Sequence, residues 1–341
     1  MIGIQDVAKK AGVSIGTVSR VLNNNGYASA NAREKVREAV RELNYQPNEM
    51  ARNLLQKRTM NIAIIVPNLQ NPYFSELVSE CERSLRQYNY KTMLCETNGE
   101  KSNEQLYLDM LDRNMVDGIL TCTHDLRQDR YVKAQGPIVS FDTIYVPGQI
   151  ERVTVDHYKG GALAANELLR SGCKRVLQFR DHKTKAEFPF NKRHEEFERI
   201  MRENHAECVN VLIRWNEFDD GYFEELCQDC FQKYPEIDGV FGTDSFVLHY
   251  MKYVQTQGKK IPDDIRFVSF DGASFLNMVY PTVTCIKQPI RSLADIGVRT
   301  LMQKIQGEFV SESEIKLDVE LIRGISSMTK EEYQEYQRKR L

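Results

Sequence analysis

From residue 61 onward the chain alternates short, predominantly apolar runs with longer amphipathic stretches, and this alternation restricts the fold more than any other feature. The runs are residues 62–66, 92–95, 118–122, 138–141, 175–179, 239–241 and 266–270. Stretches with helical periodicity, 73–87, 104–114, 160–171, 192–204 and 246–257, lie among them. A strand that is apolar on both sides must be covered on both sides, and helices that carry the chain to the next strand do this. The pattern predicts an α/β body built on parallel sheets. In such sheets ligands sit beyond the C-terminal ends of the strands. That rule singles out Tyr73 and Phe74, whose rings could stack on a sugar, and the strand-end residues Asp142, Thr243, Asp244 and Asp271. Carboxylates gathered with an arginine can exchange paired hydrogen bonds with a ring of hydroxyls. Taken singly, each of these aspartates also suits a helix cap or a turn.

The first sixty residues follow a different rule. Ile4, Val7, Ala8 and Ala11 fall at i, i+3, i+4 and i+7 and give a short helix one apolar face. Gly12 permits a sharp turn, and Ser14 is placed to cap a second helix through its hydroxyl. In that helix Val18, Val21 and Leu22 face the first, leaving Ile15, Gly16, Thr17, Ser19, Arg20 and Asn23 on the other side. Short polar side chains with one arginine are what a helix lying in the DNA major groove needs, arginine being suited to guanine O6 and N7. Ser29 caps a third helix whose Ala32, Val36, Val40 and Leu43 close a small core. A three-helix adaptor would share the apolar pattern; the glycine turn, the cap and the polar second-helix face favour a DNA reader.

Charge divides the chain at the same place. Residues 1–60 carry ten Lys/Arg against five Asp/Glu, a net of +5, although the whole chain stands at −2. A basic head on an acidic body is the footprint of a DNA reader with a regulatory body. No run approaches the roughly 18 apolar residues of a membrane span. The N-terminus lacks the apolar segment of a signal peptide, and the eight cysteines are scattered, so a cytoplasmic chain with free thiols and no membrane partner is expected. Cys227 and Cys230 form a Cys-x-x-Cys with no second pair beside it, so no metal site is expected. GxGxxG, GxxxxGK[ST] and HExxH are absent, and the six histidines have no evident acid–base partner. An enzyme of the doubly wound class is therefore the weaker reading, with no catalytic residue or cofactor to name. A secreted sugar-binding protein would lack the basic head.

The stretch IQDVAKKAGVSIGTVSRVLN, followed by YQPNEMARNL, resembles the DNA-binding head of the LacI/GalR family of bacterial regulators over residues 2–54. The resemblance implies that Ile15 and Gly16 hold the two variable positions that choose the operator, and that Thr17, Ser19 and Arg20 contact phosphates and bases. Ser14 and Asn23 complete the expected recognition surface. A helix of about seven residues after Pro47 is not stable alone in water. The resemblance implies a hinge helix that forms when two copies pair on DNA, with Ala51 and Leu54 in the minor groove and Leu54 wedged between base pairs.

VPNLQNPYFSELV, VDGILTC, VSFD, VTVDHYKGGALAANELLRSGCKRV, DGVFGTD, PDDIRFVSFDG and PTVTCIKQPI resemble the family's effector-binding core, which is akin to periplasmic sugar-binding proteins. The sucrose-operon-repressor subgroup is the most similar. The resemblance implies that Arg193 clasps ligand hydroxyls and that Asp271 accepts from them. The expected architecture is an all-α helix-turn-helix head (1–46), a hinge helix and linker (47–60), a two-lobed effector-binding and dimerisation domain with parallel sheets (61–327) and a polar tail (328–341). The expected function is that of a homodimeric repressor of sugar-utilisation genes, released from a palindromic operator by a sucrose- or fructose-like sugar. One branch of the family implies instead a carbon-catabolite regulator that answers to a phosphorylated carrier protein.

Overall fold

The computed structural model describes residues 2–46, 58–98, 100–123, 128–181, 188–214 and 219–340, so Ala51 and Leu54 of the expected hinge lie outside the described residues. The chain divides into two units, Met1–Thr59 and Met60–Leu341. In the first, α1 (Ile4–Ala11), α2 (Ile15–Leu22) and α3 (Ala30–Glu42) enclose Val7, Ala8, Ala11, Val18, Val36 and Ala39. Gly12 takes φ 65°, which a residue without Cβ adopts at no steric cost, and ends α1. Ser14 accepts the Thr17 N–H at 3.2 Å and Ser29 the Ala32 N–H at 3.3 Å. Each such cap contributes about 1 kcal/mol to its helix.

The second unit runs β1 (Asn61–Val66), α4 (Pro72–Arg86), β2 (Lys91–Glu96), α5 (Lys101–Asp112), β3 (Gly118–Thr121), α6 (Gln128–Lys133), β4 (Ile138–Phe141) and β5 (Ile150–Val155). It continues through α7 (His157–Arg170), β6 (Arg175–Asp181), α8 (Asn191–Glu203), β7 (Glu207–Ile213), α9 (Asp220–Lys233), β8 (Gly239–Thr243), α10 (Asp244–Thr256) and β9 (Arg266–Asp271). Then come a 3-10 turn (Ser274–Met278), β10 (Thr284–Lys287), α11 (Ile290–Gln306), β11 (Glu314–Leu317), β12 (Glu320–Ile322), a second 3-10 turn (Ile325–Ser327) and α12 (Lys330–Arg340).

Two six-stranded sheets result, in the orders β11-β5-β4-β3-β1-β2 and β12-β10-β9-β8-β6-β7. Neighbouring strands are parallel except at one edge, where β12 runs antiparallel to β10. The chain passes between the sheets after β5, after β10 and between β11 and β12, so each sheet is the core of one lobe. Strands β3, β4 and β9 are buried at every residue, and β1 at all but its first, as strands covered on both faces are. The expected polar tail is the helix α12, whose first turn is closed by Thr329: its N–H donates to Glu332 Oε2 at 2.8 Å and its Oγ1 accepts the Glu332 N–H at 3.2 Å. Among the described residues no helix is long and apolar enough to cross a membrane.

Candidate functional site

Burial of Val18 sets the rotation of α2 in the head. Ser14, Ile15, Gly16, Arg20 and Asn23 are then exposed, with Thr17 and Ser19 half-buried beside them. Ile15 is 46% exposed, an apolar side chain held in water at the start of the helix. Ser14 Oγ lies 2.9 Å from Thr17 Oγ1, and Asn23 Nδ2 donates to Ser19 Oγ at 3.2 Å, so the polar groups hold one another in place. Gly26, at φ 89°, lets the following loop lie against the Arg20 stem; a Cβ there would stand 3.3 Å from Arg20 Cδ. The described residues expected at DNA thus lie together on the exposed side of α2.

In the second unit a cavity of about 70 Å³ opens between the lobes. Tyr73 and Phe74 reach it from the first turn of α4, Phe141, Asp142 and Thr143 from the end of β4, and Arg193 from the first turn of α8. Thr243, Asp271 and Gln288 close it from the ends of β8, β9 and β10. All sit at strand C-termini or in first helical turns, where parallel strands leave their last backbone groups open. Of the six residues expected at the effector, Tyr73, Phe74, Asp142, Arg193 and Asp271 meet here. Asp244 does not reach the wall. Its carboxylate accepts the Gly272 and Ala273 N–H groups at 3.3 and 2.8 Å, fixing the turn that follows Asp271.

Asp271 is held by several such restraints. It stands at φ 109°, a conformation that costs a residue with a side chain of the order of 1–3 kcal/mol. Gln288 Nε2 donates to its Oδ1 at 2.8 Å, and Gln288 Oε1 accepts from the Tyr73 hydroxyl of the other lobe at 3.4 Å. Burial pushes the Asp271 carboxyl up to about 6 although Arg193 and Gln288 oppose it. Burial and the Asp271 charge push Asp244 up to about 8. The Arg193 guanidinium lies 4.3 Å over the Phe270 ring, with Nη1 3.9 Å from Asp271 Oδ1, too far for a direct hydrogen bond.

The expectation that no histidine has an acid–base partner is overturned at His157, the first residue of α7. Its Nε2 lies 2.9 Å from Asp142 Oδ1, which also accepts from Thr154 Oγ1 at 2.5 Å. Burial lowers the His157 pKa below the ordinary imidazole value more than Asp142 raises it, so at neutral pH a neutral ring donates through Nε2. Burial alone would raise Asp142, but His157, Thr154 and Arg193 together hold it below the ordinary carboxylate value. His194 is likewise pulled well below the ordinary imidazole value by burial and by Arg193. The expected effector residues did not include Thr143, His157 or Gln288. The strand-end rule that found Asp142 and Asp271 would have found His157 and Gln288, had β5 and β10 been recognised as strands.

Residues 3–48 match the family model of bacterial regulatory proteins of the lacI family, and residues 59–322 that of periplasmic binding proteins and the sugar binding domain of the LacI family. The chain is 36% identical over 307 residues to the ribose operon repressor of Halalkalibacterium halodurans, covering 90% of this chain and 91% of that protein. It is 36% identical over 327 residues to the sucrose operon repressor of Pediococcus pentosaceus, covering 95% and 99%. A solved periplasmic binding protein/LacI transcriptional regulator from Alkaliphilus metalliredigens, complexed with D-xylulofuranose, is 25% identical, with a TM-score of 0.69 over 79% of this chain and 100% of that one. With both units matched and relatives similar along nearly the whole length, the chain belongs to the LacI family of bacterial regulatory proteins.

Proposed function

We propose that this chain is a cytoplasmic, homodimeric transcriptional repressor that binds a palindromic operator and lets go when a sugar enters the cleft between its lobes. It is a regulator and not an enzyme. The observation that carries the reading is the union, in one chain, of an exposed polar recognition helix and an interlobe cavity walled by aromatic rings, carboxylates and a guanidinium. Relatives named for ribose and sucrose operons, and a solved relative holding a sugar, support a sugar as the effector. Residues 1–46 serve as the DNA-binding domain, 47–60 as the hinge and 61–327 as the effector and dimerisation domain. Ser14, Ile15, Gly16, Thr17, Ser19, Arg20 and Asn23 meet the operator with Ala51 and Leu54. Tyr73, Phe74, Asp142, Arg193 and Asp271 meet the sugar, with Asp244 behind them.

A twofold dimer suits a palindromic site because each head then meets an equivalent half-site. Release is a coupling free energy between two sites, of which 1–3 kcal/mol, roughly 5- to 150-fold in affinity, is typical. The test is an operator chosen by in vitro selection and titrated with the full chain in the presence of candidate sugars. One sugar is expected to weaken binding by such a factor. Arg20→Ala is expected to weaken operator binding roughly 10- to 100-fold while sparing sugar affinity. Tight operator binding that no sugar alters would refute the inducer role.

A further inference from the structure

Among the described residues of the cavity wall Arg193 brings the one guanidinium, and Asp271, Asp142 and Asp244 all draw on its charge. A buried guanidinium beside carboxylates ordinarily closes on one of them in a paired hydrogen bond. Arg193 does not close on Asp271: its Nη1 stands 3.9 Å from Oδ1, beyond hydrogen-bond distance. Its contacts are made elsewhere. The guanidinium lies over the Phe270 ring at 4.3 Å, and its Nε donates to His194 Nε2 at 3.4 Å. His194 is the next residue of α8 and is only 5% exposed.

From His194 a chain of hydrogen bonds runs through two strands of the same lobe. His194 Nδ1 lies 3.0 Å from Gln178 Oε1 of β6, and Gln178 Nε2 donates to Asn210 Oδ1 of β7 at 2.8 Å. Asn210 Nδ2 donates in turn to Glu198 Oε2 at 3.4 Å. Chemistry fixes both ends, since an arginine can only donate and a carboxylate can only accept. Every group between them then has one orientation. Both amides turn their oxygens toward the arginine end, and the imidazole accepts through Nε2 and donates through Nδ1. An imidazolium has no acceptor and could not take this place. Burial, Arg193 and Arg180 keep the ring neutral at pH 7. A neutral acceptor does what a carboxylate could not: it fixes the guanidinium without cancelling its charge. The Nη donors of Arg193 and the Asp271 carboxylate are thereby kept apart for a ligand. We infer that His194 is a positioning residue, which grips Arg193 through Nε2, holds it off Asp271 and presents it to the effector, with Gln178, Asn210 and Glu198 fixing the ring from behind. The inference rests on the reading of the cleft as the effector site.

The test begins without a sugar. In nitrogen-15 spectra of the full chain labelled at histidine, the signals lost in His194→Gln belong to His194. They are expected to show a protonated Nδ1 and a bare Nε2 at neutral pH. The opposite tautomer, or an imidazolium, overturns the inference and leaves the sugar reading untouched. Calorimetric titration with D-ribose, D-xylulose and sucrose then finds which of them the unaltered chain binds most tightly, and the variants are titrated with that one. His194→Phe keeps a ring beside Phe241 but removes both nitrogens, and is expected to weaken binding roughly tenfold or more. His194→Gln restores an acceptor for Arg193 and a donor for Gln178, and is expected to bind within about threefold of the unaltered chain. Gln178→Met breaks the chain behind the ring, at a residue that is not on the cavity wall, and is expected to fall between the two. Thermal melts accompany the titrations, and His194→Leu replaces His194→Phe if that variant fails to fold. Unchanged sugar affinity in His194→Phe or in Gln178→Met, or a loss in His194→Gln as large as in His194→Phe, overturns the positioning role while the sugar-effector reading stands. Failure of all three sugars to bind the unaltered chain overturns the inference and counts against that reading as well.

Discussion

Asp271 is a buried carboxyl of the cleft, and its titration should be visible in stability. Folded, it holds its proton up to about 6 and Asp244 up to about 8, against 3.8 for an unperturbed aspartate. The folded state therefore binds more protons than the unfolded chain above pH 3.8, so the pair's contribution to stability is lost as pH rises, that of Asp271 by about 6 and that of Asp244 by about 8. His157 and His194 act with the opposite sign. Burial lowers them, the unfolded chain binds more protons, and stability rises as pH climbs toward the ordinary 6.5. Asp271→Asn removes one of the carboxyls and the charge that lifts the other. Melting temperatures of the ligand-free chain, measured from pH 6 to 8, are expected to fall less in Asp271→Asn than in the unaltered chain. Parallel curves would show that the carboxylate pair does not titrate in that window.

Among elements, most strands buried on both faces were readable, as was the edge strand β2, and the other strands half in water were not. The runs at β1, β3, β4 and β9 announce themselves because both faces need apolar residues. Strands β7, β11 and β12 alternate exposed and covered residues at or near sheet edges, and β10 has only four residues. β5 conceals itself by carrying Glu151 and Arg152, whose partners Lys304 and Glu314 lie more than 150 residues further on. The site was legible where it hung on readable strands. What a pattern of residue types could not show is closeness, as at the two glycines that open α7. A Cβ on Gly160 would stand 2.6 Å from the Phe270 ring, and one on Gly161 only 2.1 Å from the Arg193 carbonyl oxygen. Helices α7 and α8 therefore meet backbone to backbone, and that contact seats Arg193 at the cavity. Gly161→Ala must push α8 away, at about 1–3 kcal/mol or more. The expected result is a lower melting temperature together with a loss of sugar affinity that exceeds the loss for operator DNA. A drop in stability with sugar affinity intact would mean that the contact does not position Arg193.

At the scale of the whole molecule the question is what holds the lobes together. Among the described residues, hydrogen bonds besides the Asp142–His157 pair span the cleft. Tyr73 donates to Gln288, and the Ser274 N–H donates to Glu76 Oε2 at 2.8 Å. The second is unusual in its economy: the turn Ser274–Met278 has no side-chain cap of its own at Ala273, and a carboxylate from the opposite lobe supplies one. A ligand moves a conformational equilibrium only by its different affinities for the two states. If the lobes close on sugar and operator release follows closure, contacts made only in the closed arrangement must favour sugar and oppose DNA. If the Ser274–Glu76 bond is one of them, Glu76→Ala deletes it without touching the cavity wall. The closed fraction should fall, and apparent sugar affinity with it, roughly three- to tenfold. Operator affinity measured without sugar should rise or hold, because the state that releases DNA is now less populated. Titration calorimetry for the sugar and fluorescence anisotropy for the operator, on the same preparation, separate the outcomes. Parallel losses in both would reduce Glu76 to a stabilising contact and would argue that the angle between the lobes is not what the operator senses.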